Sequence, residues 1–419
     1  MQNRMNSQEG DEQARSTADA VARRSYGKLV AYLAARTHDV AAAEDALSEA
    51  FASALADWPD KGCPANPEGW LLTVARRKLI DRVRGARRHQ LVSDELAMME
   101  EALAAPAIGE IPDERLAMML ACAHPAIDAG IRAPLILQAV LGLDAKRIAS
   151  AFLTSPAAMG KRLVRAKDKI RQAGIPFRVP GHEELAGRLG TVLDAIYAAF
   201  SEGWSDPGGG DDARRDLTEE ALFLASLVAQ MLPEEPEALG LLALLLHAEA
   251  RRRGRRDGNG EFVPLADQDP NLWEKQQIGK AEALLRRASA MGSIGRYQLE
   301  AAIQSAHVHR CRTGTANWAQ VVKLYDALFG ITGSPVVLIN RALALAELRG
   351  ASAALDAMPD LDADPRLTEY QPYWAARAAL LAKTAAHAEA RKAYEIAIGL
   401  ERDPAVRRFL ERRLAALTA

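Results

Sequence analysis

The sequence predicts an all-α protein of more than one domain, and three observations carry that expectation. Ala and Leu dominate a chain that is 49% apolar, while aromatic residues make up only 5% of it; Ala and Leu lose least on entering a helix. Apolar positions recur at helical spacing along most of the chain. At 419 residues the chain exceeds what one ordinary core holds, so roughly two to four domains are expected.

Charge and cysteine usage narrow the class. The formal net charge of −2 hides an asymmetry: residues 1–180 carry 25 Lys and Arg against 22 Asp and Glu, a net of +3, while the remainder carries 28 against 33, a net of −5. The three cysteines, Cys63, Cys122 and Cys311, are scattered, with no zinc spacing and no disulfide framework. The longest apolar run, Ala238 to Ala248, is interrupted by Gly240 and His247 and is too short to span a bilayer. The N-terminus is polar, lacks a signal peptide, and is expected to be disordered to about Ala18. The expectation is a soluble protein of a reducing compartment, hence cytoplasmic, with no membrane partner, no metal and no cofactor.

The elements follow in order. Val21 to Arg36 and Val40 to Leu55 are amphipathic and meet at Thr37-His38-Asp39. The Pro- and Gly-punctuated stretch from Asp57 to Pro67 reads as a loop. From Trp70 to Arg88 comes a helix with seven basic residues (Arg76, Arg77, Lys78, Arg82, Arg84, Arg87 and Arg88) and one acid, Asp81. Its apolar positions Trp70, Leu71, Val74, Ala75, Leu79, Ile80 and Val83 recur at helical spacing, so one face can pack while the other presents the cations. That pattern suits a nucleic-acid backbone with a base stacked beside it, or else a solvated basic helix. Trp70 itself reads either as a stacking platform or as core.

Ser93 to Glu114 holds seven acids and no base and reads as an acidic linker. Asp144 to Phe152, the turn Leu153-Thr154 and Ser155 to Gln172 have helix-turn-helix character, with Ser155-Pro156 a good N-cap and first helical residue. Met159, Leu163, Ala166 and Ile170 form its inward face. Beyond Pro180 the chain is Ala/Leu-rich. Trp318 to Leu328, Pro335 to Leu348, Tyr373 to Leu381 and Ala388 to Leu400 are helices of similar size, either repeats that must stack or a plain bundle.

Three segments of the first 180 residues resemble the extracytoplasmic-function sigma factors, the minimal two-domain class of bacterial sigma factor. Val40 to Phe51 is similar to that family's region 2.2, Asn66 to Arg82 to its regions 2.3–2.4, and the helix-turn-helix sits where region 4.2 belongs. Tyr197 to Trp204, Pro236 to Leu244, Leu265 to Trp273 and Tyr297 to Ile303 resemble a subgroup with a C-terminal tetratricopeptide-like extension. Within that extension motif, Phe200, Glu202, Gly203 and Trp204 are the matching positions; the subgroup often carries Asn and Tyr where this chain has Ser201 and Trp204.

The resemblance implies an all-α fold of two small sigma domains, 19–92 and 115–176, joined by the acidic linker 93–114, and a helical extension over 184–419. It implies two partners, core RNA polymerase and promoter DNA, the latter both duplex and melted single strand. By resemblance, Glu44, Asp45, Ser48 and Glu49 dock on polymerase. Lys61 and Asn66 line a pocket for an unstacked base of the downstream element. Trp70 adjoins that pocket, and Arg76, Arg77, Arg82, Arg84, Arg87 and Arg88 hold the backbone. For the upstream element, Ser155, Ala157, Ala158, Lys161 and Arg162 face base edges, while Arg165 and Lys167 face phosphate. The linker is either a phosphate mimic or a charged spacer. The extension is expected to regulate or support activity, through contact with the sigma domains or through a protein partner of its repeats.

Two other readings compete. One is a helix-turn-helix regulator with a solenoid sensor, acting without polymerase core. The other is an enzyme in the C-terminal half, using His307, His309 and Cys311, or Glu202. His-x-His-x-Cys on a helix does not place all three on one face, and no base or orienting partner is evident. The expectation is therefore no catalytic activity.

Overall fold

The structure is a computed structural model that describes residues 2–89, 101, 103, 111–152, 154–204, 212–362 and 364–417. Among these residues the fold is all-helical, with no β-strand and an isolated bridge between Arg256 and Phe262. Contacts divide the chain into two compact units, Met1–Ala199 and Phe200–Ala419.

The first unit contains α1 (Gln2–Thr37), α2 (Val40–Lys61), α3 (Pro67–His89), α4 (Arg115–Cys122), α5 (Ala129–Leu141), α6 (Ala145–Ala151), α7 (Pro156–Gln172) and most of α8 (His182–Trp204). Several starts have a local cause. Asp39 caps α2 by accepting from the Ala42 N–H at 3.0 Å, and Ser155 caps α7 by accepting from Ala158 at 3.2 Å. Gly142 closes α5 in the left-handed conformation, at φ 68°.

Two boundaries correct the sequence reading. The N-terminus expected to be disordered to Ala18 is part of α1. Ala14, Ala18 and Val21 are buried at helical spacing, so the apolar stripe continues upstream among polar residues. The expected loop is shorter than Asp57 to Pro67, because α2 runs through Pro59 to Lys61. Buried Trp58 anchors that last turn, and Gly62 ends it at φ 81° with its N–H on the Trp58 carbonyl.

The helices on either side of residues 93–114 pack against one another. α1 lies against α4 and α5 as well as α2 and α3, and α2 touches α7. The closest approach is at Gly27 of α1, where an added Cβ would stand 1.8 Å from the Val140 carbonyl oxygen of α5. Backbone cannot step aside as a flexible side chain can. Gly27→Ala is therefore expected to destabilise the unit by about 1–3 kcal/mol, read as a lowered urea midpoint of the full chain. Most of the acidic segment 93–114 lies outside the described residues.

The second unit contains α9 (Asp212–Met231), α10 (Pro236–Glu249), three 3-10 turns within 252–272, α11 (Lys275–Ala290), α12 (Arg296–Thr313), α13 (Trp318–Thr332), α14 (Pro335–Arg349), α15 (Ala351–Asp356), α16 (Gln371–Lys383), α17 (His387–Leu400) and α18 (Pro404–Ala415). Most helices pack on their sequence neighbours while α12 packs chiefly on α10, and successive apolar clusters form between them. One cap is supplied from a distance: the Glu237 carboxylate of α10 accepts the Tyr297 and Gln298 N–H groups at the N-terminus of α12, at 3.0 and 3.1 Å. The run bends back on itself. Glu261 pairs with Arg408 and Arg412 of α18 at 2.6 and 2.7 Å, Arg256 with Asp403 at 2.6 Å, and the Phe262 ring meets Phe409 edge-on.

Candidate nucleic-acid interface

α2 and α3 are built by the same rule on different residues. α2 buries Ala43, Ala46, Leu47, Ala50, Ala54 and Trp58, which leaves Asp45 and Ser48 exposed and Glu49 half-buried on another face. α3 buries Leu71, Leu72, Ala75, Leu79 and Val83, which leaves Arg77, Arg82 and Arg84 exposed. The two charged faces meet. Arg82 lies 2.7 Å from Glu49 and 3.4 Å from Asp45, and Lys78 lies 3.3 Å from the other Glu49 oxygen. Hydrogen bonds from Arg82 and Lys78 hold the Glu49 carboxyl below the usual carboxylate range. Expected polymerase and DNA residues thus share one ion-pair cluster.

At the start of α3, Asn66 accepts from the Gly69 N–H at 2.9 Å and so caps the helix. Its amide nitrogen takes no part in that cap. Lys61 is the last residue of α2 and pairs with Asp57 one turn back, at 2.8 Å. Trp70 is half-buried and meets Trp58 edge-to-face with ring centroids 5.5 Å apart. It is wedged at a helix entry, with part of its surface open. Arg76 donates to the Leu103 carbonyl, so this guanidinium reaches into the segment between the two expected sigma domains. The side chains of Arg87 and Arg88 lie outside the described residues. Glu68, which the sequence reading passed over, ties α3 to α1 by accepting from Ser25 and from Arg24.

α6 ends at Ala151 and α7 begins at Pro156. Met159, Leu163, Ala166 and Ile170 are buried, while Ser155, Ala157, Ala158, Lys161, Arg162 and Arg165 are exposed. Arg162 lies 3.7 Å from Asp128. Lys167 departs from the expected phosphate-facing position: it is buried and donates to Glu44 of α2, a residue 123 positions away. Arg171 reinforces the contact by pairing with Asp39, at 3.2 Å. Burial pushes the Glu44 carboxyl above its ordinary pKa although Lys167 pulls it down, and Glu44 Oε1 accepts no hydrogen bond. No local sequence signal marks this pair, because its partners are brought together only by packing.

The extension motif is a packing device. Phe200 and Trp204 stack with centroids 5.5 Å apart and planes at 18°. The guanidinium carbons of Arg255 and Arg252 stand 4.4 and 4.9 Å from the Trp204 ring centroid, and Arg255 also donates to the Trp204 carbonyl at 2.8 Å. Gly203 is buried; the Glu202 side chain lies outside the described residues. The readable signal for the partner was the run Arg251-Arg252-Arg253-Gly254-Arg255-Arg256. Gly254 is required there, because a Cβ would stand 2.9 Å from Trp273 Nε1. Among the described residues no cluster of three or more His, Cys, Asp or Glu is placed to hold a metal, and no helix is long and apolar enough to cross a membrane.

Residues 21–89, which span the later part of α1 with α2 and α3, match the family Sigma-70 region 2. Residues 188–289 match a family of unknown function, DUF6596. A relative described as an uncharacterized protein of Rhizobium meliloti (strain 1021) is 38% identical over 384 residues, covering 90% of each chain. No solved structure matches. The chain belongs to the sigma-70 family, as an extracytoplasmic-function-like factor with a helical C-terminal extension that contains the DUF6596 segment.

Proposed function

We propose that this protein binds core RNA polymerase and directs promoter-specific transcription initiation, as a cytoplasmic factor without enzymatic activity. The observation that supports this most is the α2–α3 pair: an acidic-polar helix and a basic helix, joined by a capped loop, within the segment that matches Sigma-70 region 2. α2 offers Asp45, Ser48 and part of Glu49 to polymerase. Arg77 and Arg84 of α3 face backbone phosphates, where they contribute affinity rather than sequence choice. The α6–α7 pair acts as the helix-turn-helix, with Ser155, Ala157, Ala158, Lys161 and Arg162 toward base edges of duplex DNA. In this reading residues 19–92 and 115–176 are the two sigma domains, and 184–419 is a tetratricopeptide-like extension that supports activity.

Glu44 is covered by α7, so polymerase can reach it only when Lys167 lets go. The exposed residues therefore make the first contact. Ser48→Arg puts a cation on that face without breaking any ion pair of the fold. It is expected to weaken the complex with core polymerase at least tenfold, measured by fluorescence anisotropy of the labelled chain. If the unaltered chain forms no complex with core polymerase, this function is wrong.

A further inference from the structure

The second unit contains a cavity of about 210 Å³ that the sigma-factor reading does not use. Four helices converge on it, and each brings residues that helical spacing places on one face. α12 contributes His307 and Arg310, α13 contributes Trp318 and Tyr325, α14 contributes Asn340 with Leu343 and Glu347, and α16 contributes Lys383.

The polar groups are arranged unevenly. Lys383 and Glu347 lie 3.3 Å apart and largely offset each other. Arg310 has no carboxylate partner among the described residues; its guanidinium carbon stands 5.3 Å from the centroid of the Trp318 ring. The lining thus carries one net positive charge. Asn340 uses one amide N–H on the Val336 carbonyl, at 3.2 Å, which leaves its second N–H and its carbonyl oxygen for a ligand. The His307 ring meets Trp318 edge-on at 6.2 Å. Burial pushes its pKa down to about 4, so at neutral pH it offers one donor and one acceptor but no charge. Leu343, Ala344 and Leu380 supply the apolar wall.

We propose that this cavity is a ligand site for a monocarboxylate with a compact apolar or aromatic body. Arg310 and Asn340 hold the carboxylate, and the body rests against Trp318 and Leu343. One uncompensated cation matches one negative charge, whereas a phosphate dianion would leave charge unpaired. The size fits as well. Sites for drug-sized ligands run about 300–1,000 Å³, so this smaller cavity takes a group no larger than one amino acid. A free small acid and the C-terminal residue of a peptide share that chemistry.

Isothermal titration calorimetry on the full chain tests the proposal and separates the two sources. The probes are phenylacetate, phenylacetamide, and acetyl-Gly-Gly-Phe with its terminus either free or amidated. At least one acid is expected to bind saturably, and its amide at least tenfold more weakly. Phenylacetate binding alone assigns a free acid, and tripeptide binding alone assigns a peptide terminus. Arg310→Gln and Asn340→Asp are each expected to weaken the acid at least tenfold, with far-ultraviolet circular dichroism showing the fold retained. The proposal is overturned if neither acid binds, if the amides bind as well as the acids, or if both folded variants bind like the unaltered chain.

Discussion

Glu44→Ala is expected to destabilise the N-terminal unit by about 3–5 kcal/mol, the cost of leaving a buried charge without its partner. The side chain of Lys167 is only 10% exposed, and Glu44 is the carboxylate that receives its ammonium. Burial already raises the Glu44 carboxyl against the pull of Lys167, so the attraction does not fully offset desolvation. It follows that the double replacement Glu44→Leu with Lys167→Met should recover most of the loss, because two apolar groups leave nothing unpaired. Urea unfolding of Glu44→Ala reads the loss, and the unaltered chain, Glu44→Leu, Lys167→Met and the double replacement close the cycle. A single variant within 1 kcal/mol of the unaltered chain would show that the charges are solvated and that α7 does not seal α2.

Acid is expected to loosen the C-terminal unit well before its carboxylates are protonated. His247 is fully buried, neither ring nitrogen has a hydrogen-bond partner, and Glu282 stands 3.5 Å away without lying in hydrogen-bonding line. Burial outweighs that carboxylate and holds His247 well below its ordinary value of 6.5. His307 is held down to about 4, also by burial, with Arg310 adding to the effect. The sign follows from proton uptake. Between pH 6.5 and 4 the unfolded chain binds protons that the folded chain refuses, so stability is full above pH 6.5 and falls as pH drops toward 4. Each tenfold change in proton affinity is worth about 1.4 kcal/mol, so His307 alone costs on the order of 3 kcal/mol at the acid end. The urea midpoint of the C-terminal transition should drop between pH 7 and pH 5, and His247→Gln with His307→Gln should flatten that slope. Equal midpoints at both pH values in the unaltered chain would contradict the neutral, buried histidines.

Periodicity and capping made much of this molecule legible in its sequence. Leu71, Ala75, Leu79 and Val83 of the helical stripe are buried in α3, and Ser155-Pro156 opens α7 as its chemistry requires. These signals are local, so one sequence displays them. The boundaries that failed did so because tertiary packing overrode local cues. Polar residues around Ala14 and Ala18 hid a buried stripe, and Pro59 suggested a break that Trp58 and Gly62 place one turn later. The contacts of Glu44 with Lys167, Arg82 with Glu49, and Trp204 with Arg252 and Arg255 join residues far apart in the chain. Composition marked both partners as charged or aromatic but could not pair them. Sequence alone therefore puts Lys167 toward phosphate, since a lysine on a basic helix carries no mark of the acid that buries it.

Run-off transcription tests the central claim most directly. Purified full-length chain is added to cognate core RNA polymerase with a pool of genomic promoter fragments, and the transcripts are sequenced. The account predicts defined start sites that require the chain, that weaken with Ser48→Arg, and that are lost when Arg77 and Arg84 are both replaced by Glu. Transcripts whose start sites are the same with and without the chain would contradict it.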